Sequence, residues 1–195
     1  MPRIAILISG RGTNMVALAN RVNSGELPAE IAFVAADRPD APGLEKAQAL
    51  GLETRCYPYR EKGPDRCERE MTKDIEDRGV EWIVLAGFMR ILSPGFVSRF
   101  TSRIVNIHPS LLPSFPGTHS IEKAWRHGAR ITGVTVHLVD DQVDHGLILS
   151  QAAVSIMDND SLEDLENRIH ETEHQLYWET LRDLFLGKIS VIERG

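Results

Sequence analysis

Ile104-Val105-Asn106-Ile107-His108-Pro109-Ser110-Leu111-Leu112-Pro113 is the stretch from which the fold can be read. Two apolar residues lead into a run in which an amide and an imidazole alternate with an isoleucine. Successive strand side chains point to opposite faces, so Asn106 and His108 share one face. Pro109 cannot donate to a ladder and biases His108 toward extended backbone, so the strand ends there. A polar pair on one face where a strand stops suits the carboxyl edge of a sheet, where open α/β folds bind ligands. An Asn and a His that only satisfy loop backbone would give the same pattern. The stretch alone leaves both readings open.

Upstream, apolar runs at Arg3–Ile8, Ile31–Ala36, Thr54–Tyr57 and Trp82–Ala86 read as buried strands. Helical patterns alternate with them, at Thr13–Val22, Leu44–Leu50, Asp65–Arg78 and Pro94–Phe100. In the charged 65–78 segment only Met71 and Ile75 mark an inner stripe, and the rest reads as a solvated face. The polar Pro58–Asp65 stretch reads as mobile surface. Such βα alternation calls for a parallel, right-handed wound sheet with helices on both faces. Downstream come a helix at Ile121–His127 and two consecutive strands, Ile131–Leu138 (with Thr135 and His137) and Leu147–Val154, which predict an antiparallel edge. A final helix, capped by Asp160 or Ser161, runs to about Leu186, with Leu162, Leu165, Ile169, Leu176, Leu181 and Leu184 inward. The expected fold class is α/β, in one domain over 1–195.

The chain has 195 residues, 42% hydrophobic and 26% charged, the balance of a soluble globular protein with a sizeable core. No apolar run reaches the roughly 20 residues of a membrane span, and no signal-peptide pattern precedes the first strand. Cys56 and Cys67 match no common zinc or redox spacing, which predicts free thiols and a cytoplasmic location. The net charge of −6 is uneven: residues 1–100 carry 14 basic and 14 acidic side chains, and residues 101–195 carry 8 and 14. No basic cluster with interleaved aromatics appears, so nucleic acid is not the expected partner. An anionic small molecule remains open, because a helix N-terminus binds phosphate without a basic surface.

Ser9-Gly10-Arg11-Gly12-Thr13-Asn14 between the first strand and helix is such a place, with Thr13 or Asn14 placed to cap. It lacks the third glycine of a dinucleotide loop, since position 15 is Met, and the Lys-Ser/Thr of a Walker loop. A tight turn with nothing bound is the other reading. Gly87-Phe88-Met89-Arg90-Ile91-Leu92 sets apolar side chains beyond a strand end, as the wall of a flat apolar pocket or as a loop folded onto the core. Asp140-Asp141-Gln142-Val143-Asp144-His145-Gly146 is an acidic loop. His170-Glu171-Thr172-Glu173-His174 matches H-E-x-x-H, but no third ligand follows, so no metal is expected. Glu173 is instead expected to line the pocket of the central strand.

Ile8–Asn14, Leu85–Leu92, Asn106–Pro113, Pro116–His119, Asp144–Gly146 and Glu173–His174 together make the chain resemble the folate-dependent formyltransferases, nearer to the branch that acts on glycinamide ribonucleotide. The resemblance covers nearly the whole chain. It implies transfer of a formyl group from 10-formyltetrahydrofolate, as co-substrate, to the primary amine of glycinamide ribonucleotide. It implies Asn106, His108 and Asp144 as catalytic residues. Gly12, Thr13 and Asn14 would hold the ribonucleotide phosphate, with His119 and Glu173 nearby. Met89, Arg90, Ile91 and Leu92, with Asn106, Asp140, Asp141, Val143 and Asp144, would enclose the folate. Residues 1–100 would form the phosphate-binding half and 101–195 the catalytic and folate-binding half of a monomer or weak homodimer.

The chemistry suits those residues. An amine that attacks the formyl carbon creates a tetrahedral oxyanion, to which Asn106 N–H and a protonated His108 can donate, each aimed donor being worth about 3 kcal/mol. Asp144 beside the imidazole would stabilise positive charge on it. Three positions depart from the family pattern: Pro64 stands where an Arg reaching the folate carboxylates is usual (Arg60 or Arg66 could serve), His145 replaces a Gly, and Trp178 replaces a Pro. The alternatives are a formyltetrahydrofolate hydrolase, with water in place of the amine, and a formyltransferase with another amine acceptor. A binding-only nucleotide module would have no use for the three catalytic positions together.

Overall fold

Apolar runs bounded by turns become the strands of one sheet in the computed structural model, which describes residues 1–191. In chain order the elements are β1 (Arg3–Ile8), α1 (Thr13–Asn23), β2 (Glu30–Ala36), α2 (Pro42–Ala49), β3 (Thr54–Cys56), α3 (Tyr59–Lys62) and α4 (Pro64–Asp77). Then come β4 (Trp82–Leu85), α5 (Pro94–Arg99), β5 (Ile104–His108), α6 (Ser120–His127), β6 (Ile131–Leu138), β7 (Ile148–Ser155) and α7 (Leu162–Phe185). The sheet order is β3-β2-β1-β4-β5-β6-β7. The pairs from β3 to β5 are parallel, and β5–β6 and β6–β7 are antiparallel.

The strand order reverses between β1 and β4, the switch point at which a crevice opens beyond the strand ends. Strand alternation separates two apolar layers. Ile4, Ile6 and Ile8 of β1 pack with Met15, Leu18, Leu165, Ile169 and Tyr177 on the face covered by α1, α2 and α7. Ala5 and Leu7 pack with Cys67, Met71, Ile75, Phe96 and Val97 on the face covered by α4 and α5. Val105 and Ile107 belong to the first layer and Ile104 to the second. Asn106 and His108 share the parity of Ile104, so they lie on the α4–α5 face at the carboxyl edge.

Ser161 caps α7, accepting from Asp164 N at 3.2 Å while the Asp164 carboxylate accepts from Ser161 N. The first helix is started differently from the sequence reading. Its N-cap is Gly12 at φ 67°, and neither Thr13 nor Asn14 caps it. A left-handed cap costs glycine little. Pro58–Asp65 is not an irregular loop: it holds α3 and the start of α4, with Tyr59 buried against the second layer. Aromatic burial there outweighs the Pro and Gly signals. Pro64 opens α4, where a missing N–H costs nothing.

Candidate active site

Asn106 and His108 project beside Thr135 and His137, their antiparallel partners on β6. His137 Nδ1 lies 2.7 Å from Leu138 O, so it carries the hydrogen and Nε2 is left as an acceptor. Asn106 Nδ2 lies 3.2 Å from that Nε2 and donates to it. Burial holds the His137 pKa below the ordinary histidine value, in keeping with a neutral ring. One Asn106 amide hydrogen is thus committed to His137, and the second is available to a ligand.

His108, buried at 6% exposure, is held from both sides. Its Nε2 lies 3.0 Å from Phe115 O, and its Nδ1 lies 3.4 Å from Asp144 Oδ2. Each ring nitrogen faces an oxygen, so the ring can hold a proton on either. Asp144 arrives from the loop between β6 and β7 with φ 53°, a conformation that Asp adopts more readily than bulky residues. Its Oδ2 also accepts from Gly117 N at 2.7 Å, and its Oδ1 lies 3.8 Å from His137 Nε2. The sequence-expected triad therefore meets at one point, and His137 joins it.

Thr135 fixes the turn that carries the Phe115 carbonyl. Its hydroxyl donates to Ser110 O at 2.7 Å and accepts from Leu112 N and Gln151 Nε2, each at 3.0 Å. Thr135→Val keeps the shape and strands these partners. The expected cost is about 1–3 kcal/mol, read as a lower melting temperature together with lower turnover, because His108 loses a fixed neighbour.

The glycine loop lies across the edge on the α1–α7 side. Gly43 N donates to Gly10 O at 3.0 Å, and a Cβ on Gly43 would meet Gly10 O at 2.9 Å, so only glycine lets α2 approach this closely. Asn14 and Glu173 are both buried, and Asn14 Nδ2 donates to Glu173 Oε2 at 3.3 Å. Burial pushes the Glu173 pKa up to about 7, against a smaller lowering by the Asn14 hydrogen bond. Asn14 Oδ1 has no partner among the described residues. Four residues on from Glu173, the Tyr177 hydroxyl reaches Leu85 O at 2.9 Å and Val105 O at 3.0 Å, tying α7 to β4 and β5. Thr13 is exposed, and His119 stands on the rim with Nδ1 3.8 Å from Glu122 Oε2.

On the opposite side the 87–93 loop leaves Met89 70% and Ile91 77% exposed, with Leu92 buried. The Arg90 guanidinium turns inward to the Asp37 carboxylate. The facing loop exposes Val143 and Asp141. Its Asp140 side chain is taken up locally, accepting from Gln142 N at 2.9 Å and lying 2.7 Å from His145 Nδ1. A cavity of about 380 Å³ lies beside this loop, lined by Val97, Val139, Asp140, Asp141 and Leu147 among others. Of the residues around the catalytic groups only Asp140 and Asp141 line it; Met89 to Leu92, Asn106, His108 and Asp144 do not.

His170 and His174 gain no third partner: among the described residues no three His, Cys, Asp or Glu gather in a metal-binding arrangement. Burial lowers both pKa values. Arg66 pairs with Glu70, and Arg60 is exposed on α3. The Arg21 and Arg182 guanidiniums lie over the Trp178 ring, at 4.7 and 5.0 Å from a ring centroid. Among the described residues no helix is long and apolar enough to cross a membrane.

The formyl transferase profile matches residues 2–181. The phosphoribosylglycinamide formyltransferase of Haemophilus influenzae is 40% identical over 91% of this chain and 84% of its own length. That of Bacillus subtilis is 35% identical over 94% and 95%. The chicken trifunctional purine biosynthetic protein adenosine-3 is 41% identical over 99% of this chain, which spans only 19% of that larger protein. The crystal structure of glycinamide ribonucleotide transformylase 1 from Symbiobacterium toebii superposes with TM-score 0.94 at 38% identity, covering 100% of this chain and 92% of that one. The match over most of the sequence and the likeness over the whole fold agree: the chain belongs to the formyl transferase family.

Proposed function

We propose that the protein transfers the formyl group of 10-formyltetrahydrofolate to the primary amine of glycinamide ribonucleotide, giving formylglycinamide ribonucleotide and tetrahydrofolate in purine biosynthesis. The observation that carries this is the convergence of Asn106, His108, Asp144 and His137 at the carboxyl edge, between a glycine loop and an exposed apolar wall. Asn14, with its unpartnered Oδ1, and Glu173 receive the ribonucleotide, whose phosphate lies at Gly12, Thr13 and Asn14 with His119 on the rim. Met89 to Leu92 and the Asp140–Asp144 loop take the folate. Residues 1–100 supply the glycine loop and one folate wall, and residues 101–195 supply the catalytic groups and the other wall. The protein works in the cytoplasm as a monomer or weak homodimer, and its partners are these two small molecules.

The amine nitrogen bonds to the formyl carbon, and the oxygen gains a negative charge that the free Asn106 N–H and a protonated His108 stabilise. The carbon–N10 bond then breaks. The proton lost by the amine passes to the departing nitrogen through His108 Nε2, which exchanges Phe115 O for the substrate while Nδ1 stays on Asp144. His137 orients Asn106, and the Asp144 charge offsets the positive charge on His108 during transfer.

The test is folate turnover with and without glycinamide ribonucleotide. Product that requires the ribonucleotide is the expected result. Tetrahydrofolate release without it would make the protein a hydrolase, and no reaction in either case would call for another amine.

A further inference from the structure

At the carboxyl end of β2 lies Asp37, 3% exposed. In dinucleotide-binding sheets an acid downstream of the glycine loop holds a ribose hydroxyl. Asp37 instead points inward, and its Oδ2 pairs with Arg90 Nε. The Arg90 guanidinium lies 5.8 Å from the Tyr59 ring centroid, and that ring meets Phe88 edge-on at 5.9 Å. Tyr59 N in turn donates to Asp37 O at 3.2 Å. Asp37 thus anchors both the β2 end and α3 to the middle of the 87–93 loop.

The same loop is fastened at its ends. Ser9 Oγ accepts from Met89 N at 2.8 Å and Ser9 N donates to Gly87 O at 3.0 Å. Buried Glu68 accepts from Ser93 N at 3.0 Å and from the Ser93 hydroxyl. Between these points the side chains alternate, with Arg90 and Leu92 inward and Met89 and Ile91 outward. Exposing two large apolar side chains costs free energy that a loop free to refold onto the surface would recover. Between the fastened ends, the pairing of half-buried Arg90 with buried Asp37 opposes that collapse. One Asp37 oxygen, Oδ1, has no protein partner among the described residues, so Arg90 is the charge that balances the carboxylate.

We infer that Asp37 is a positioning residue for folate: acting through Arg90, it holds Met89 and Ile91 in the outward conformation that receives the flat pterin. The Arg90 side chain is then a tether and not a ligand contact, and only its backbone faces folate. This rests on the proposed reading of residues 89–92 as a folate wall. Binding that is equally strong in ground and transition states appears in KM and not in kcat. The ribonucleotide site, built on Asn14 and Glu173, joins this loop through Ser9 and not through the Asp37–Arg90 pair.

Steady-state kinetics with both substrates tests it. Asp37→Asn should raise KM for 10-formyltetrahydrofolate about tenfold, leave KM for glycinamide ribonucleotide within about twofold, and change kcat far less than the folate KM. Arg90→Gln should do the same, and the double variant should be no worse than either single one, since both cut one tether. Should Asp37→Asn fail to fold, the double variant, in which both groups are neutral, reads the same quantity. An unchanged folate KM, an equal rise for both substrates, or additive effects would overturn the tether. The wall itself is read separately by Met89→Ala with Ile91→Ala. If that pair leaves the folate KM unchanged, the wall and the tether fall together. If it raises the folate KM while Asp37→Asn does not, the tether alone falls.

Discussion

Asp144→Asn is expected to lower kcat by about 10²–10⁴ with little change in either KM or in melting temperature. The geometry makes this substitution a nearly pure removal of charge. Gly117 N and His108 Nδ1 both address Oδ2 of Asp144. An Asn whose carbonyl oxygen takes that place keeps both contacts. Its NH₂ then faces His137 Nε2 at the 3.8 Å of Asp144 Oδ1, beyond hydrogen-bond distance, and that nitrogen goes on accepting from Asn106. Asn also tolerates the left-handed backbone at φ 53°. What disappears is the carboxylate charge within 4 Å of an imidazole that must carry a proton during transfer. Asp144→Ala would confuse the matter, because it strands Gly117 N and strains the backbone as well. Turnover and thermal melts of Asp144→Asn between pH 6 and 8 decide it. Turnover within tenfold of the parent across that range would remove the charge from the mechanism.

The part of this site that the sequence displays is the part carried by local periodicity. Asn106 and His108 are two residues apart in a run ended by proline, so their shared face follows from strand geometry alone. His137 was visible as a polar residue alternating with Thr135 in an apolar strand, but its role depends on the antiparallel register that places it opposite Asn106. Register between strands some thirty residues apart is fixed by packing of the whole sheet, and no local pattern states it. The inward turn of Arg90 is similar. A cation on an apolar loop gives no local sign that it pairs with the buried Asp37, just past the end of β2. The cap of α1 went to Gly12 over Thr13 and Asn14, so Asn14 Oδ1 is not taken up by the helix while Nδ2 donates to Glu173. Two residues that are ordinary capping types by local rule are thus left for the site. In Pro58–Asp65, turn-forming residues suggested a loop, but Tyr57 and Tyr59 bury their rings and order it. Burial is a tertiary property that composition reports only weakly.

Glu173→Gln should stabilise the unliganded protein strongly at pH 8 and only slightly at pH 5. Burial sets the direction, since Glu173 is 6% exposed and its pKa is raised to about 7 from an ordinary 4.5. Between those values the unfolded chain has released the proton while the folded protein keeps it. Stability therefore falls as pH rises through this window, and the full penalty is present above pH 7. A shift of this size corresponds to about 3 kcal/mol, or roughly 6–12 °C in melting temperature for a chain of this length. Gln retains an oxygen to accept from Asn14 Nδ2, now 3.3 Å from Oε2, and carries no charge at any pH. Other carboxylates titrate in both proteins, so the difference between variant and parent isolates this one. The expected functional cost is a higher KM for glycinamide ribonucleotide, because the carboxylate is placed to take hydrogen bonds from a ligand at the helix N-terminus. A buried acid that weakens the empty protein and serves the occupied one is a stability–function compromise. Equal melting differences at pH 5 and pH 8 would show that Glu173 is not held in a desolvated place. An unchanged KM for the ribonucleotide would take it out of that site.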